Sequence, residues 1–249
     1  MFLFKDVDLF LVRSKSMKKK LIALGCVEKK IAIHGSSIDV LKYGNIQHSC
    51  NSHLFQSKKK ILFVGRLIEK KGIIDLVNSV DILGDCFSLT IIGEGKLKEE
   101  IEKIVAEKNL KSRVKICPFM SHYKLLEQYS KYDVFVLPSK EAKDGDSEGI
   151  PVVLMEAMMS KVPVISTVHS GISELIEDEV DGYLLGEVSP LSLANIIKFV
   201  CSIDNSALVD RAKSKILNGR DIRIQSNKLE NFYNFLISRN KITNINLEY

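Results

Sequence analysis

Cysteine pairs are what this sequence most plainly lacks. The five cysteines (Cys26, Cys50, Cys86, Cys117 and Cys201) are odd in number and scattered. None forms a C-x-x-C pair, so neither a disulfide framework nor a thiolate metal site is supported. Free thiols of this kind fit a reducing, cytosolic compartment. Long apolar runs are missing too, none approaching the roughly 20 residues that span a bilayer. The opening MFLFKDVDLFLV is interrupted by Lys5, Asp6 and Asp8. It has neither a basic leader nor a small-residue cleavage site, which argues against a signal peptide. Charge of one sign is in only mild excess, a formal +5 with short lysine clusters at 18–20 and 58–60. Solvated faces account for such clusters, so no nucleic-acid partner is expected. A weak attraction to an anionic membrane surface, at the inner face of the cell membrane, stays open.

What is present is an ordinary globular composition, 45% hydrophobic and 27% charged over 249 residues. That length holds one large domain, or a medium domain plus a fragment. From Lys59 onward short β-branched runs alternate with longer amphipathic ones. KILFV (60–64), FSLTII (87–92), RVKIC (113–117), DVFVL (133–137) and VPVIS (162–166) read as strands. Between the first two, Ile73, Leu76, Val77, Val80 and Leu83 recur at helical spacing; after the second, KLKEEIEKIVAEKN (96–109) does the same. Apolar runs in a β-α-β-α order predict an α/β fold, a Rossmann-like doubly wound parallel sheet buried on both faces.

Residues 1–56 do not complete a unit of this kind. DLFLVRS (8–14) and KIAIHG (30–35) read as strands and SMKKKLIALG (16–25) as a helix with Gly25 at its C-cap, while 45–59 is polar and aperiodic, a linker. Two strands and a helix cannot bury a core alone. They are expected to pack on the main domain or on a part outside this chain. The division expected is therefore 1–56, then a ligand-binding domain over 57–222, then a terminal helix and tail over 223–249. In that last part Leu229, Phe232, Tyr233 and Leu236 form an apolar face in search of a partner.

Ligands of doubly wound sheets bind beyond the carboxyl ends of the strands, and glycine, proline and small polar residues concentrate there in this sequence. In VGRLIEKKG (64–72), Gly65 allows close approach to the backbone, and Arg66 and Lys71 bracket a loop before a helix. Two cations at such a place suit a diphosphate; the plain alternative is that Lys70 and Lys71 are solvated and Arg66 pairs with Glu69. In GDSEGIPVVLMEAM (145–158) a polar loop opens onto a helix with Pro151 in its first turn. Glu148 and Glu156, eight residues apart, cannot be separated by more than about 12 Å along a helix, so both can line one small-molecule pocket. Glu156 is surrounded by apolar neighbours in sequence. It is either partly buried and hydrogen-bonded, with ribose hydroxyls as suitable donors, or on an exposed helix face. In STVHSGISELI (166–176), Ser170 and Gly171 are expected to open a helix with Glu174 in its first turn, its amides able to cap an anion. His169 is more readily structural than ligand-facing.

In order, the motifs G-R-L-x-x-K-K-G, I-I-G-E-G, D-V-F-V-L-P-S, E-G-I-P-V-V-L-M-E-A-M, V-P-V-I-S-T, G-I-S-E-L-I and D-G-Y-L-L resemble the C-terminal domain of the group 1, or family 4, retaining glycosyltransferases of the GT-B fold. The likeness runs from about Lys59 to about Val200, and the wording around 145–178 is similar to exopolysaccharide transferases of the colanic-acid and amylovoran type. It implies a transfer of a sugar from a UDP- or GDP-sugar to a polysaccharide or lipid-linked acceptor, with retention of configuration. Arg66 and Lys71 would hold the donor diphosphate and Glu148 would orient the donor sugar. Glu156 would bind the ribose, Gly149 and Ile150 would lie by phosphate or sugar, and Cys117 and Phe119 would flank the base. No cofactor and no metal are implied, and the D-G-D at 144–146 reads as incidental. Residues 3–44 resemble the last strand, helix and strand of the family's N-terminal domain. The glycine-rich first loop, the acceptor pocket and a sugar-positioning histidine have no counterpart here. Three readings are left: a transferase, a truncated or split chain that binds nucleotide sugar but needs a missing N-terminal domain or partner chain, and a sugar-nucleotide 2-epimerase.

Overall fold

The computed structural model describes residues 3–43, 58–143 and 148–245. Most of the expected linker at 45–59 and the D-G-D, with its Gly145, lie outside them. Six parallel strands form the main sheet: β3 (Lys59–Val64), β4 (Phe87–Ile92), β5 (Val114–Cys117), β6 (Val134–Val136), β7 (Val164–Thr167) and β8 (Tyr183–Leu185), a further two, β1 (Phe10–Val12) and β2 (Ile31–Ile33), pairing apart from it. The six are ordered β5-β4-β3-β6-β7-β8. The chain steps outward from β3 through β4 to β5, returns to the other side of β3 as β6, and steps outward again. The expected doubly wound sheet is the observed one, with its topological switch point between β3 and β6.

Helices cover both faces, as strands so apolar require. They are α1 (Leu3–Asp6), α2 (Lys15–Ala23), α3 (Ile73–Leu83), α4 (Lys98–Glu107), α5 (His122–Tyr129), α6 (Val152–Met159), α7 (Pro190–Ser202), α8 (Ser206–Gly219) and α9 (Ile222–Ile245). Ile61, Leu62, Phe63, Ile91, Phe135 and Ile165 are fully shielded in the sheet. Against them α3 sets Ile73, Leu76, Val77 and Val80, the stripe its sequence spacing predicts. At roughly 1.5–3 kcal/mol per buried large apolar side chain, this layer dominates the folding free energy. α7 begins with a capping box of Ser189 and Ser192, with Pro190 as its first helical residue, and packs on α3, while α8 packs on α6. Among the described residues no single helix is long and apolar enough to cross a membrane; α7 and α8 reach that length and apolarity only together, across a 103° bend.

The N-terminal unit has a small core of its own, Val12, Cys26 and Ile31 with Phe4, Phe10 and Leu21 around it. It leans on the main domain, one of the two expected outcomes. Glu174 accepts the backbone N–H groups of Lys15 (2.9 Å) and Ser16 (3.1 Å), the first amides of α2. Ile38 bridges Asp221, its N–H donating to the Arg220 carbonyl. Val40 and Tyr43, from the 3-10 turn Val40–Tyr43, enter the large core. α9 starts well packed, with Gln225 buried. Further along, Tyr233, Phe235 and Ile237 are more than half exposed.

Candidate functional site

Loops leaving β3 and β6 diverge from the switch point, where a doubly wound sheet offers its crevice. Here they are stitched to one another. The Lys140 N–H donates to the Lys70 carbonyl at 2.9 Å. Gly72 ends the 3-10 turn Glu69–Lys71 at φ 63°, and a Cβ there would run into the Pro138 carbonyl oxygen. Only glycine satisfies both the left-handed backbone and that approach. Gly93, after β4, is similarly pressed against the Gly65 carbonyl. The close packing of the loops after β3, β4 and β6 is thus written in the glycines that follow the strands.

Within this knot Lys71 Nζ lies 2.9 Å from Glu148 Oε1, each side chain about a tenth exposed (11% and 10%). Oε1 is buried and makes no aligned hydrogen bond, so charge alone holds the pair. Arg66 is exposed and is not paired with Glu69 among the described residues. Gly149 and Ile150 continue from Glu148 into α6, packed under Gly171, where a Cβ would come within 2.9 Å of the Gly149 carbonyl oxygen. Pro151 is the N-cap of α6 rather than a residue of its first turn.

Glu156, in the second turn of α6, is 4% exposed. The two readings left open by the sequence resolve to the buried one. Its partners are side chains of this protein: Tyr129 Oη donates to Oε2 at 2.7 Å, and His122 Nε2 lies 2.9 Å from Oε1. Both stand on α5, seven residues apart and therefore nearly above one another on one helix face. The Tyr129 hydroxyl is held well above the ordinary tyrosine pKa, by burial first and by the Glu156 charge second. Tyr43 is pushed up by the same two causes in the same order. Cys117 and Phe119 follow β5, Cys117 half-buried and Phe119 51% exposed.

Buried polar atoms without a partner mark unfinished chemistry. Ser139 Oγ after β6 and His169 Nε2 after β7 are such atoms, both at the carboxyl edge of the sheet. Ser170 next to His169 has φ 51°, an uncommon conformation for a non-glycine residue. The helix expected at 170–176 is only the 3-10 turn Ile172–Glu174, and Glu174 is committed to capping α2. A turn that short offers no anion site of its own. A cavity of about 390 Å³ opens beside the same loops, between Glu69, Gly72, Lys96, Leu97 and Lys140. A larger one of about 530 Å³ lies among Lys60, Ser88, Thr90, Lys115 and Tyr132, away from both carboxylates.

Sequence reasoning passed over His122, Tyr129 and Tyr43. The signal it could have used was the seven-residue spacing of histidine and tyrosine in HYKLLEQY, the helix that follows β5. Tyr43 gave none, because only the fold brings it to α6.

Residues 47–215 match the family model described as glycosyl transferases group 1. The amylovoran biosynthesis glycosyltransferase AmsK of Erwinia amylovora is 39% identical over 199 residues, 78% of this chain and 48% of that protein. The putative colanic acid biosynthesis glycosyltransferase WcaL of Escherichia coli K12 is 32% identical over 220 residues, 86% of this chain and 53% of that one. The chain thus spans about half the length of the curated relatives it matches. Among solved structures, Anabaena Alr3699/HepE in complex with UDP and glucose superposes with a TM-score of 0.79 at 18% identity, over 91% of this chain and 63% of that one. Sucrose-phosphate synthase of Thermosynechococcus elongatus does so with 0.83 at 21%, over 96% and 60%. At such identities the likeness is one of fold.

Proposed function

The chain belongs to the glycosyl transferases group 1 family, and from that premise we propose that it forms the donor-binding part of a retaining transferase of the GT-B type. The donor is a UDP- or GDP-sugar, and the acceptor is a growing cell-surface polysaccharide or a lipid-linked glycan. The observation that carries the reading is the Lys71–Glu148 pair at the switch point, with the exposed Arg66 on the same loop as Lys71. A diphosphate brought between the two cations draws Lys71 away from Glu148 and accepts from the Arg66 guanidinium. Glu148, released and still shielded from water, accepts from hydroxyl groups of the donor sugar and fixes its orientation. Gly149 and Ile150 follow on the same strand-to-helix loop, so their backbone lies by the phosphate or sugar. The Glu156–His122 pair and the loop with Cys117 and Phe119 take the nucleoside end. The named relatives AmsK and WcaL support polysaccharide synthesis as the setting, and they give the epimerase reading no support.

A second reading is favoured by one observation: Tyr233, Phe235 and Ile237 of α9 stand more than half exposed. On that reading the chain binds donor, and sugar transfer needs a further protein surface over α9. One preparation tests both readings. UDP or GDP should raise the melting temperature of the 249-residue chain, and Arg66→Ala should remove that rise without lowering the unliganded value. Absence of any rise with either nucleotide sinks the donor site. Transfer of labelled sugar by the chain alone sinks the second reading.

A further inference from the structure

A parallel sheet covered on both faces reads as near-continuous apolar runs, and the amino ends of β3, β4 and β5 do not. The register sets Lys60 beside Ser88 and Thr90 beside Lys115. Side chains alternate along each strand, so these four lie on one face. The cavity of about 530 Å³ opens there, its lining adding Lys111 and Lys131 to Lys60 and Lys115. No aspartate or glutamate among the described residues lines it. All four lysines are exposed, and the ammonium groups of Lys60, Lys111 and Lys115 pair with nothing among the described residues. Lys131 has a long contact to Gln128, at 3.4 Å. The nearby acids are already engaged. Asp133 faces Lys59 (3.7 Å) and accepts the Lys60 N–H (2.7 Å), while Asp85 faces Arg113 at 3.5 Å. Arg113 in turn commits Nη1 to the Val80 and Gly84 carbonyls, at 2.7 Å each.

Like charges gathered around a concave site without a counter-charge focus a positive potential in it. Such a site attracts an anion of more than one charge, and the half-buried hydroxyls of Ser88 and Thr90 in the lining are donors for its oxygens. We propose that this cavity is a second ligand site, for clustered phosphate groups, carried either by a soluble oligophosphate or by lipid headgroups. Its volume falls in the range of small-molecule sites. β3 is six residues long, about 20 Å at roughly 3.3 Å per residue. The cavity lies at the start of that strand and the Arg66 and Lys71 loop beyond its end, so a phosphate ligand here does not compete with a nucleotide there. The site thus goes beyond the donor-binding reading and does not depend on it.

The test is calorimetric titration of the intact chain with inorganic tripolyphosphate, at constant ionic strength because exposed charges are screened by salt. Tripolyphosphate also suits the Arg66 loop, so the titration is repeated on Arg66→Ala, where binding should persist. In that background Lys111→Gln and Lys115→Gln should each weaken it by about tenfold, the size of one charge-assisted hydrogen bond. Both side chains are exposed and unpaired, so the variants should keep the melting temperature of their parent. Lys19→Gln with Lys228→Gln, on α2 and α9, removes the same charge elsewhere and should leave the affinity unchanged. Vesicles of phosphatidylglycerol and phosphatidylcholine, set against phosphatidylcholine alone, separate the two sources. Sedimentation with the anionic vesicles that needs Lys111 and Lys115 assigns the site to lipid headgroups, and tripolyphosphate binding without it assigns a soluble ligand. Three results overturn the proposal: neither probe binds Arg66→Ala, binding survives loss of both lining lysines, or the distant pair of substitutions weakens it equally. The melting-temperature rise with UDP or GDP reads the donor site separately, so failure of either site is recognised without the other.

Discussion

Glu148 and Glu156 stand eight residues apart on one loop and helix, and both are nearly closed to water at 9% and 4% exposure. The fold neutralises them in opposite ways. Glu148 faces a full positive charge, Lys71, with no aligned hydrogen bond on the facing oxygen. Glu156 faces a phenol and an imidazole through well-formed hydrogen bonds and, among the described residues, pairs with no lysine or arginine. A charge pair without directional bonds can be exchanged for another charge, whereas a carboxylate locked by two side chains is a fixture. The first is built to be opened by a phosphate-bearing ligand, the second to hold something else still.

Removing the cation breaks the comparison at its most exchangeable point. Lys71→Met leaves Glu148 ionised, buried and unpaired, a situation that costs on the order of 3 kcal/mol. Urea unfolding should show a loss of that order. Glu148→Gln leaves the Lys71 ammonium buried without its counter-charge and should cost a similar amount, whereas the double variant should cost clearly less than the sum of the two. Strictly additive losses would mean that the pair is not held by charge, and the contrast with Glu156 would fall.

The second prediction turns on pH and sharpens the other side. Burial and the Glu156 charge keep the Tyr129 hydroxyl protonated in the folded chain well above its ordinary value of 10.0. In the unfolded chain the same hydroxyl ionises near 10, so above that pH the unfolded state binds fewer protons. Stability is therefore fully present below about pH 10 and falls as pH rises beyond it, by up to about 1.4 kcal/mol per pH unit for each such tyrosine. Tyr129→Phe should be less stable at neutral pH by about 1.5 kcal/mol, a hydrogen bond to a charged acceptor. It should also lose stability less steeply above about pH 10. A Tyr129→Phe curve parallel to the wild type across roughly pH 9–11 would detach this tyrosine from the alkaline limb.

How much of this was legible in the sequence depends on which interactions are local. The parallel sheet was readable because each strand announces itself in a handful of adjacent apolar residues. The edge strand β8, with only three residues, and the helices α7 and α8 were not marked out by comparable runs. Glu148, Lys71 and Arg66 could be picked as candidates from glycines and charges beside strand ends. That Lys71 and Glu148 meet was beyond reach, because 77 positions separate them and only the switch-point order of strands joins their loops. For Glu156 the sequence stated the problem, a carboxylate among apolar residues. It did not name the donors, which lie on a different helix and are specified by the packing of α5 on α6.

A third carboxylate completes the contrast, because Glu174 accepts two backbone N–H groups at the start of α2 where the others meet side chains. Those amides have no partner inside the helix, and Ser14 already serves one further along, accepting from Met17. Glu174→Ala should therefore cost only about 1 kcal/mol, as the loss of a helix cap does, less than either change above. Its effect should also be local. Amide hydrogen exchange should accelerate across 15–23 in α2 while the amides of β3 and β4 keep their wild-type protection, since the small core of Val12, Cys26 and Ile31 is separate from the large one. If protection fell equally in the sheet, the N-terminal unit would be folding as one body with the main domain. Glu174 would then be part of a single cooperative core, not a cap bridging two.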